Sequence, residues 1–178
     1  MTLTSSLMGT PLGEIAVLHG DRGLCGIGLD GQAGFARFDR WRRKYAPDEE
    51  LRMGPPPAEL VKQMREYFDR QRQAFDLPLD LRGTDFQRRV WRALQAIPQG
   101  QIRTYGDLAR DLGQPTASRA IGGANGANPV PIVVPCHRVV AQRGLGGFSG
   151  PIEWKQSLLE LEGVCLDMRA EVLTAASA

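Results

Sequence analysis

The chain of 178 residues lacks several things, and each absence narrows what it can be. No apolar run approaches the roughly 20 residues that a membrane helix needs, so no membrane association is expected. Residues 1–12 carry no basic stretch followed by an apolar core, so a secretory signal is not expected there. Cysteine is scarce and odd in number, with Cys25, Cys136 and Cys165 far apart. That argues against a disulfide framework and makes a reducing cytoplasm the expected location. The only histidines are His19 and His137, and no pair of potential ligands has the spacing of a metal-binding motif, so no metal site is expected. Internal repeats and low-complexity segments are missing too. With 42% hydrophobic and 24% charged residues, the composition is that of a globular protein and excludes disordered or collagen-like chains.

The charge is uneven. Residues 1–82 carry 12 basic and 12 acidic side chains, whereas residues 83–165 carry 9 against 6. Between Phe86 and Ile152 lie eight arginines (Arg88, Arg89, Arg92, Arg103, Arg110, Arg119, Arg138 and Arg143) against two acids, Asp107 and Asp111. Arginine with almost no lysine suits planar, bidentate contact with phosphates or base edges. A solvated basic face is the competing explanation, and charge alone does not separate the two.

The pattern divides the chain into a small α/β domain with an antiparallel sheet at residues 1–82, a mostly helical domain at 83–165, and a C-terminal tail at 166–178. In the first, Glu14 to Leu18 and Leu24 to Leu29 are short apolar runs joined by a hairpin-like His19-Gly20-Asp21-Arg22-Gly23. Leu60, Met64, Tyr67 and Phe68 recur at helical spacing after the break Gly54-Pro55-Pro56-Pro57. Residues 76–83 read as a connector. In the second, Thr84-Asp85-Phe86-Gln87 is a capping-box pattern, followed by Phe86, Val90, Leu94 and Ile97 on one helical face. Thr104 can cap a helix from Tyr105 to Leu112, and a second short helix follows from Thr116 or Ala117 with Ala120, Ile121 and Ala124 inward. Separated by Gly113-Gln114-Pro115, these two form a helix-turn-helix candidate. Gly122 and Gly123 leave the second helix bare enough for a backbone or nucleic-acid strand to come close. The β-branched run Ile132 to Val134 predicts a short buried strand leading to Cys136, and Trp154, Leu158 and Leu161 predict a last helix ended by Gly163.

A thiol at its ordinary pKa is only a few per cent thiolate at neutral pH, so a nucleophilic cysteine needs a base or positive surroundings. Cys136 has His137 beside it. Neighbours on a strand point to opposite faces, so a bent backbone after Pro135, or a bridging water, is required for the two to cooperate. Taken alone, a Cys-His pair more often marks a buried structural cysteine. Glu162, in the last turn of a helix, sits where an acid is electrostatically disfavoured, which invites a functional reason.

The stretch from Asp85 to Gly163 resembles the O6-alkylguanine-DNA alkyltransferase family. The resemblance is carried in order by Phe86-Gln87, Val90-Trp91 and Leu94; by Ile97-Pro98-Gln99-Gly100 and Thr104-Tyr105-Gly106-Asp107-Leu108-Ala109; by Arg119-Ala120-Ile121-Gly122-Gly123-Ala124; by Asn128-Pro129 through Pro135-Cys136-His137-Arg138-Val139; and by Leu158-Leu159-Glu160-Leu161-Glu162-Gly163. It implies irreversible transfer of an alkyl group from O6-alkylguanine, with O4-alkylthymine a further candidate, in double-stranded DNA to Cys136 after base flipping, by a monomer without cofactor or metal. It implies that His137 takes the thiol proton through a water, that Glu162 orients His137 and stabilises its positive form, that Tyr105 donates a proton or a hydrogen bond to the guanine ring, and that Asn128 braces the turn between the recognition helix and the active-site strand. Val139, Phe148 and Ser149 would contact the flipped base. Arg119 would fill the gap in the base stack, with Ala117, Ser118, Gly122 and Gly123 completing the DNA-facing helix. The chain departs from the family pattern at Ala127, where many bacterial members have a basic residue, and at Pro151, where a glycine is usual. Two other functions stay open at this point. One is a DNA-lesion sensor or helix-turn-helix regulator without chemistry, and the other is a cysteine hydrolase using Cys136, His137 and Glu162.

Overall fold

Residues 2–167 and 172–175 are described by the computed structural model, in which the chain forms two compact units, 1–82 and 83–178. The first is built on a four-stranded sheet of order β3-β2-β1-β4. Strands β1 (Thr2–Thr10), β2 (Gly13–Gly20) and β3 (Gly23–Gly28) form an antiparallel meander, and β4 (Glu50–Met53) adds to β1 in parallel. The expected hairpin is present with its strands extended, so that only Asp21 and Arg22 lie between β2 and β3. Helix α1 (Gly34–Tyr45) packs Phe38 into a core made by Leu3, Ala16, Leu18, Cys25 and Ala46, and α2 (Ala58–Phe68) buries Leu60, Met64 and Tyr67. Cys25 is thus a core residue, and burial foremost, with the charge of Asp80 next, pushes its thiol up to about 12, which leaves it inert.

The connector is laid along the edge of this unit. Leu24 donates to the carbonyl of Pro78 at 2.8 Å and accepts from Asp80 N–H at 2.9 Å. The Gln63 side-chain amide clasps Asp76 in both directions, each bond 2.8 Å. Arg82 closes the segment by pairing with Asp80 and Glu49 and stacking 4.9 Å from the Trp41 ring centre.

In the second unit, α3 (Asp85–Gln95) starts at the anticipated capping box, with Gln87 N–H on Thr84 Oγ1 and Thr84 N–H on Gln87 Oε1. A second capping box, Thr104 with Asp107, opens α4 (Tyr105–Asp111). Helix α5 (Ser118–Gly126) follows after Gly113, whose φ of +69° suits a helix-ending glycine. Trp91 Nε1 donates to the carbonyl of Ala124 at 2.9 Å and so pins α5 to α3. Strands β5 (Arg103–Thr104) and β6 (Val139–Val140) pair in parallel, and α6 (Ile152–Leu161) ends at Gly163 with φ +82°. Leu166 and Asp167, read as the start of a tail, belong to β7 (Val164–Asp167), which pairs antiparallel with β8 (Val172–Ala175). The rest of that tail, 168–171 and 176–178, lies outside the described residues.

The segment before Cys136 differs from expectation. Ile132 to Val134 is no strand but a buried turn, with Val134 N–H on the carbonyl of Val130 and Ile132 at φ +75°. Prolines at 129, 131 and 135 remove the donors a ladder needs, so the apolar run is buried by folding on itself. Cys136–Arg138 is then a single 3-10 turn, which supplies the bend that the Cys136-His137 pair requires. Among the described residues no helix is long and apolar enough to cross a membrane.

One substitution tests the edge-laid connector. Gly23 has φ +128°, and a Cβ on it would fall 2.2 Å from the Pro78 carbonyl oxygen. Gly23→Ala is expected to destabilise the first unit by about 2–4 kcal/mol, the range of backbone strain combined with a steric clash, as measured by urea unfolding followed at its tryptophan.

Candidate active site

A strand would send His137 and Arg138 to opposite faces; the 3-10 turn brings both onto one carboxylate. His137 Nε2 lies 2.8 Å from Glu162 Oε1, Arg138 Nη2 donates to the same oxygen at 2.8 Å, and Arg138 Nε donates to Oε2 at 2.9 Å. Arg138 Nη1 is anchored on the carbonyl of Ile97 at 2.5 Å. Glu162 caps the end of α6, its N–H on the carbonyl of Leu158, so the helix end carries the acid into the site. The side chains of His137 and Glu162 are 0% exposed.

Burial opposes charge on Glu162, but the hydrogen bonds and charges of His137 and Arg138 outweigh it and hold the carboxyl well below the usual carboxylate range. Burial also disfavours charge on His137 and prevails over the pull of Glu162, so the ring is neutral near pH 7. An ionised carboxylate can only accept, so Nε2 carries the ring hydrogen and Nδ1 keeps the lone pair. Nδ1 is buried, with no hydrogen-bond partner among the described residues. The imidazole is a base with its free nitrogen held in a fixed direction.

Cys136 is 0% exposed, and burial pushes its thiol up. The side chain of Asn128, the ammonium of Lys155 and the hydroxyl of Ser149 pull the other way without cancelling it. Ser149 Oγ is buried, and its hydrogen bonding toward the sulfur favours the ionised form. At rest the group is a thiol, and it ionises only when a base takes its proton. Asn128 braces the turn: Nδ2 donates to the carbonyl of Val134 at 2.8 Å, and Oδ1 accepts from Val130 N–H at 3.1 Å.

Lys155 is fully buried and donates to the carbonyls of Val139 at 2.7 Å and Gly147 at 2.9 Å. Burial lowers it to about 8, with the charge of Cys136 resisting. Tyr105 OH donates to the same Gly147 carbonyl at 3.3 Å, and its phenol is raised, by burial foremost. Val139 donates its N–H to the Cys136 carbonyl. Phe148 and Ser149 lie half-buried in the loop between β6 and α6.

On α5, Arg119 is exposed in the first turn, after Ala117 and a half-buried Ser118. A Cβ on Gly123 would meet nothing within 4 Å, and one on Gly122 would only touch the Tyr105 ring at 3.9 Å. The protein's own packing therefore does not demand these glycines. Among the described residues no ion pair holds Arg89, Arg92, Arg103, Arg119 or Arg143, whereas Arg88 pairs with Asp85 and Arg110 with Asp107. No group of three or more metal-ligating side chains occurs among the described residues.

Known proteins resemble this chain in sequence and in fold. Residues 85–164 match the DNA binding domain of the 6-O-methylguanine DNA methyltransferase family, and residues 3–81 match its ribonuclease-like domain. A methylated-DNA--protein-cysteine methyltransferase of Methanosarcina acetivorans is 38% identical over 88% of this chain and 96% of its own. The chain belongs to the O6-alkylguanine-DNA alkyltransferase family. A relative of the same name from Mycolicibacterium paratuberculosis is 55% identical over 106 residues, a match that spans 59% of this chain and 64% of that protein, just under two thirds of its length. The crystal structure of Mycobacterium tuberculosis OGT in complex with DNA superposes with a TM-score of 0.72, at 38% identity, over 89% of this chain and 92% of that one. The fold is the family's mixed α/β arrangement, an antiparallel-sheet part followed by a helical part.

Two residues of this site escape sequence reasoning. Arg138 reads as one of the eight arginines of a basic surface, whether solvated or facing nucleic acid, but the structure buries it on Glu162. The signal available was its place two residues after Cys136, beside the acid-seeking His137. Lys155 is missed altogether, since nothing local marks it as buried.

Removing the shared carboxylate leaves a buried guanidinium without its counter-charge. Glu162→Gln is expected to destabilise the protein by about 3–5 kcal/mol at neutral pH, as read by denaturant unfolding. Because the folded-state carboxyl is depressed, its contribution is full above the ordinary carboxylate range and is lost as pH falls. The gap between the two proteins should therefore narrow in acid.

Proposed function

We propose that this protein repairs alkylated DNA by moving an alkyl group from guanine O6, and from thymine O4 as a second substrate, onto Cys136. The observation that carries the reading is the neutral His137, held by an ionised Glu162 so that its basic nitrogen is free, in the same turn as a buried thiol. His137 Nδ1 takes the thiol proton through one water. The thiolate then attacks the alkyl carbon, forming the S–C bond as the C–O bond breaks. The electron pair of that bond goes to the guanine, and the Tyr105 hydroxyl supplies a proton to the ring. Asn128, Ser149 and Lys155 stabilise the thiolate against the cost of its burial. The product is a thioether with no group in the site to reverse it, so each molecule acts once.

Base delivery falls to α5. Its exposed glycines let a DNA strand approach the helix backbone, and Arg119 fills the space left by the extruded base. The relative crystallised with DNA supports this partner. Val139, Phe148 and Ser149 line the position of the flipped base, and Ala117, Ser118, Gly122 and Gly123 meet the duplex. One chain supplies every one of these residues, so the reading requires no second subunit, metal or cofactor. All three cysteines are free, which fits a protein working in the reducing cytoplasm. The hydrolase alternative leaves the bare glycine face of α5 unexplained, and a sensor without chemistry has no need of a poised base beside a thiol.

The direct test is intact-mass measurement after incubation with a duplex containing O6-methylguanine. One added methyl, mapped to Cys136 and absent in Cys136→Ser, is the expected result; methylation of Cys25 or Cys165 instead overturns the assignment. Arg119→Ala should weaken duplex binding and slow repair there by about tenfold or more, yet hardly change reaction with the free base O6-benzylguanine, which needs no extrusion. Rates measured on both substrates decide it, and equal losses would give Arg119 a different role. Gly123→Leu should leave thermal stability unchanged or raise it, since leucine is a better helix former than glycine, while reducing duplex affinity in a fluorescence-anisotropy titration.

A further inference from the structure

Asn125 sits in the last full turn of α5, where its side chain is almost wholly buried, at 2% exposure. Asparagine is a poor residue for a helix interior, because its amide competes for backbone hydrogen bonds. Here it makes one bond inward: Nδ2 donates to the carbonyl of Cys136 at 3.3 Å. A carbonyl can only accept, so the amide must face it with nitrogen, and that orientation leaves Oδ1 buried without a partner among the described residues. An apolar residue of the same size would avoid that unmet acceptor. A buried asparagine that satisfies only half of its amide is a local violation of packing rules, of the kind retained where function requires it.

The bond links the two halves of the proposed reaction. Helix α5 is fixed from one side by Trp91 on the carbonyl of Ala124, and the next residue, Asn125, reaches from the helix to the backbone of the nucleophile. Three residues on, Asn128 holds the carbonyl of Val134. Two amides, one in the last turn of α5 and one two residues beyond its end, thus grip the turn on either side of Pro135. Displacement at carbon needs the sulfur in line behind the breaking C–O bond, and small errors of placement cost rate steeply. The base is delivered by α5 and the sulfur by the turn, so their registration depends on what joins the two.

We infer that Asn125 is a positioning residue that registers the Cys136 turn against the DNA-bound helix α5, so that a base delivered from the duplex meets the sulfur in line. This rests on the reading of Cys136 as acceptor and of α5 as the DNA-facing helix. A free base, not carried by α5, settles into the pocket on its own and depends less on that registration.

Asn125→Leu removes the bond at similar size, and Asn125→Asp removes the donor while keeping the shape. Each is compared with the unaltered protein for duplex dissociation constant, single-turnover rate at saturating O6-methylguanine duplex, and rate with free O6-benzylguanine, with thermal unfolding as the check on folding. The expected result is a loss of about tenfold in the saturating duplex rate, a dissociation constant within about twofold of the original, and a clearly smaller loss with the free base. Asn125→Gln, which keeps the donor on a longer arm, should recover part of the duplex rate if its amide reaches the carbonyl. An unchanged duplex rate, an equal loss on both substrates, or a loss confined to the dissociation constant overturns the inference. If the leucine variant does not fold, the aspartate variant decides by the same measurements, and if neither folds, Asn125 is a residue of the fold and the inference falls. Failure of the unaltered protein to methylate Cys136 would instead overturn the reading on which the inference rests.

Discussion

Everything at the site hangs on one buried carboxylate. Glu162 is kept ionised out of water by two partners from adjacent residues, and each partner gains something different from it. His137 gains a defined tautomer, because an acceptor-only group dictates which ring nitrogen carries hydrogen. Arg138 gains a counter-charge that makes its own burial tolerable. Since the acid comes from the end of α6 and its partners from the turn after Pro135, the same contact that tunes the imidazole also locks two distant pieces of chain together. Tuning and folding share one interaction, so neither can be altered alone.

Charge in this site is arranged as a series of opposing pulls. Burial drives Cys136 toward the thiol, His137 toward neutrality and Lys155 down to about 8. The resting state is therefore nearly free of net charge apart from the Glu162–Arg138 pair and Lys155. When the thiol ionises, its negative charge finds Lys155 already buried nearby. A solvent-exposed lysine would offer little at that moment, whereas one held out of water interacts at the strength of a low-dielectric interior.

How much of this was legible in the sequence depends on range. The capping box of Thr84 with Gln87 and the cap at Thr104 were readable because a cap is settled within four residues, while Asp107 completing a second box was not read. The pairing of α4 and α5 was readable from Gly113 and the apolar stripes on either side. Strand β1 was not, since it is rich in threonine and serine and buries Ser5 and Ser6 where hydrophobic alternation would be sought. Helix α1 was equally silent, because it starts at Gly34 with no side-chain cap. The run Ile132 to Val134 misled: its residues favour strands, but the prolines around it decide otherwise. Arg138 was marked only by its place beside His137, its partner lying 24 residues along the chain, and Lys155 was not marked at all, since its burial is set by backbone carbonyls that carry no sequence signal.

The carbonyl of Gly147 is shared between the Lys155 ammonium and the Tyr105 hydroxyl. A carbonyl oxygen has two lone pairs, and here one is covered by a short bond at 2.9 Å and the other by a long one at 3.3 Å. The long bond is a parking place. In the proposed reaction the phenol can swing its hydrogen toward an arriving base without stranding the carbonyl, because the lysine stays where it is. The loop then keeps its shape through the step, and the tyrosine leaves one acceptor for another at little cost.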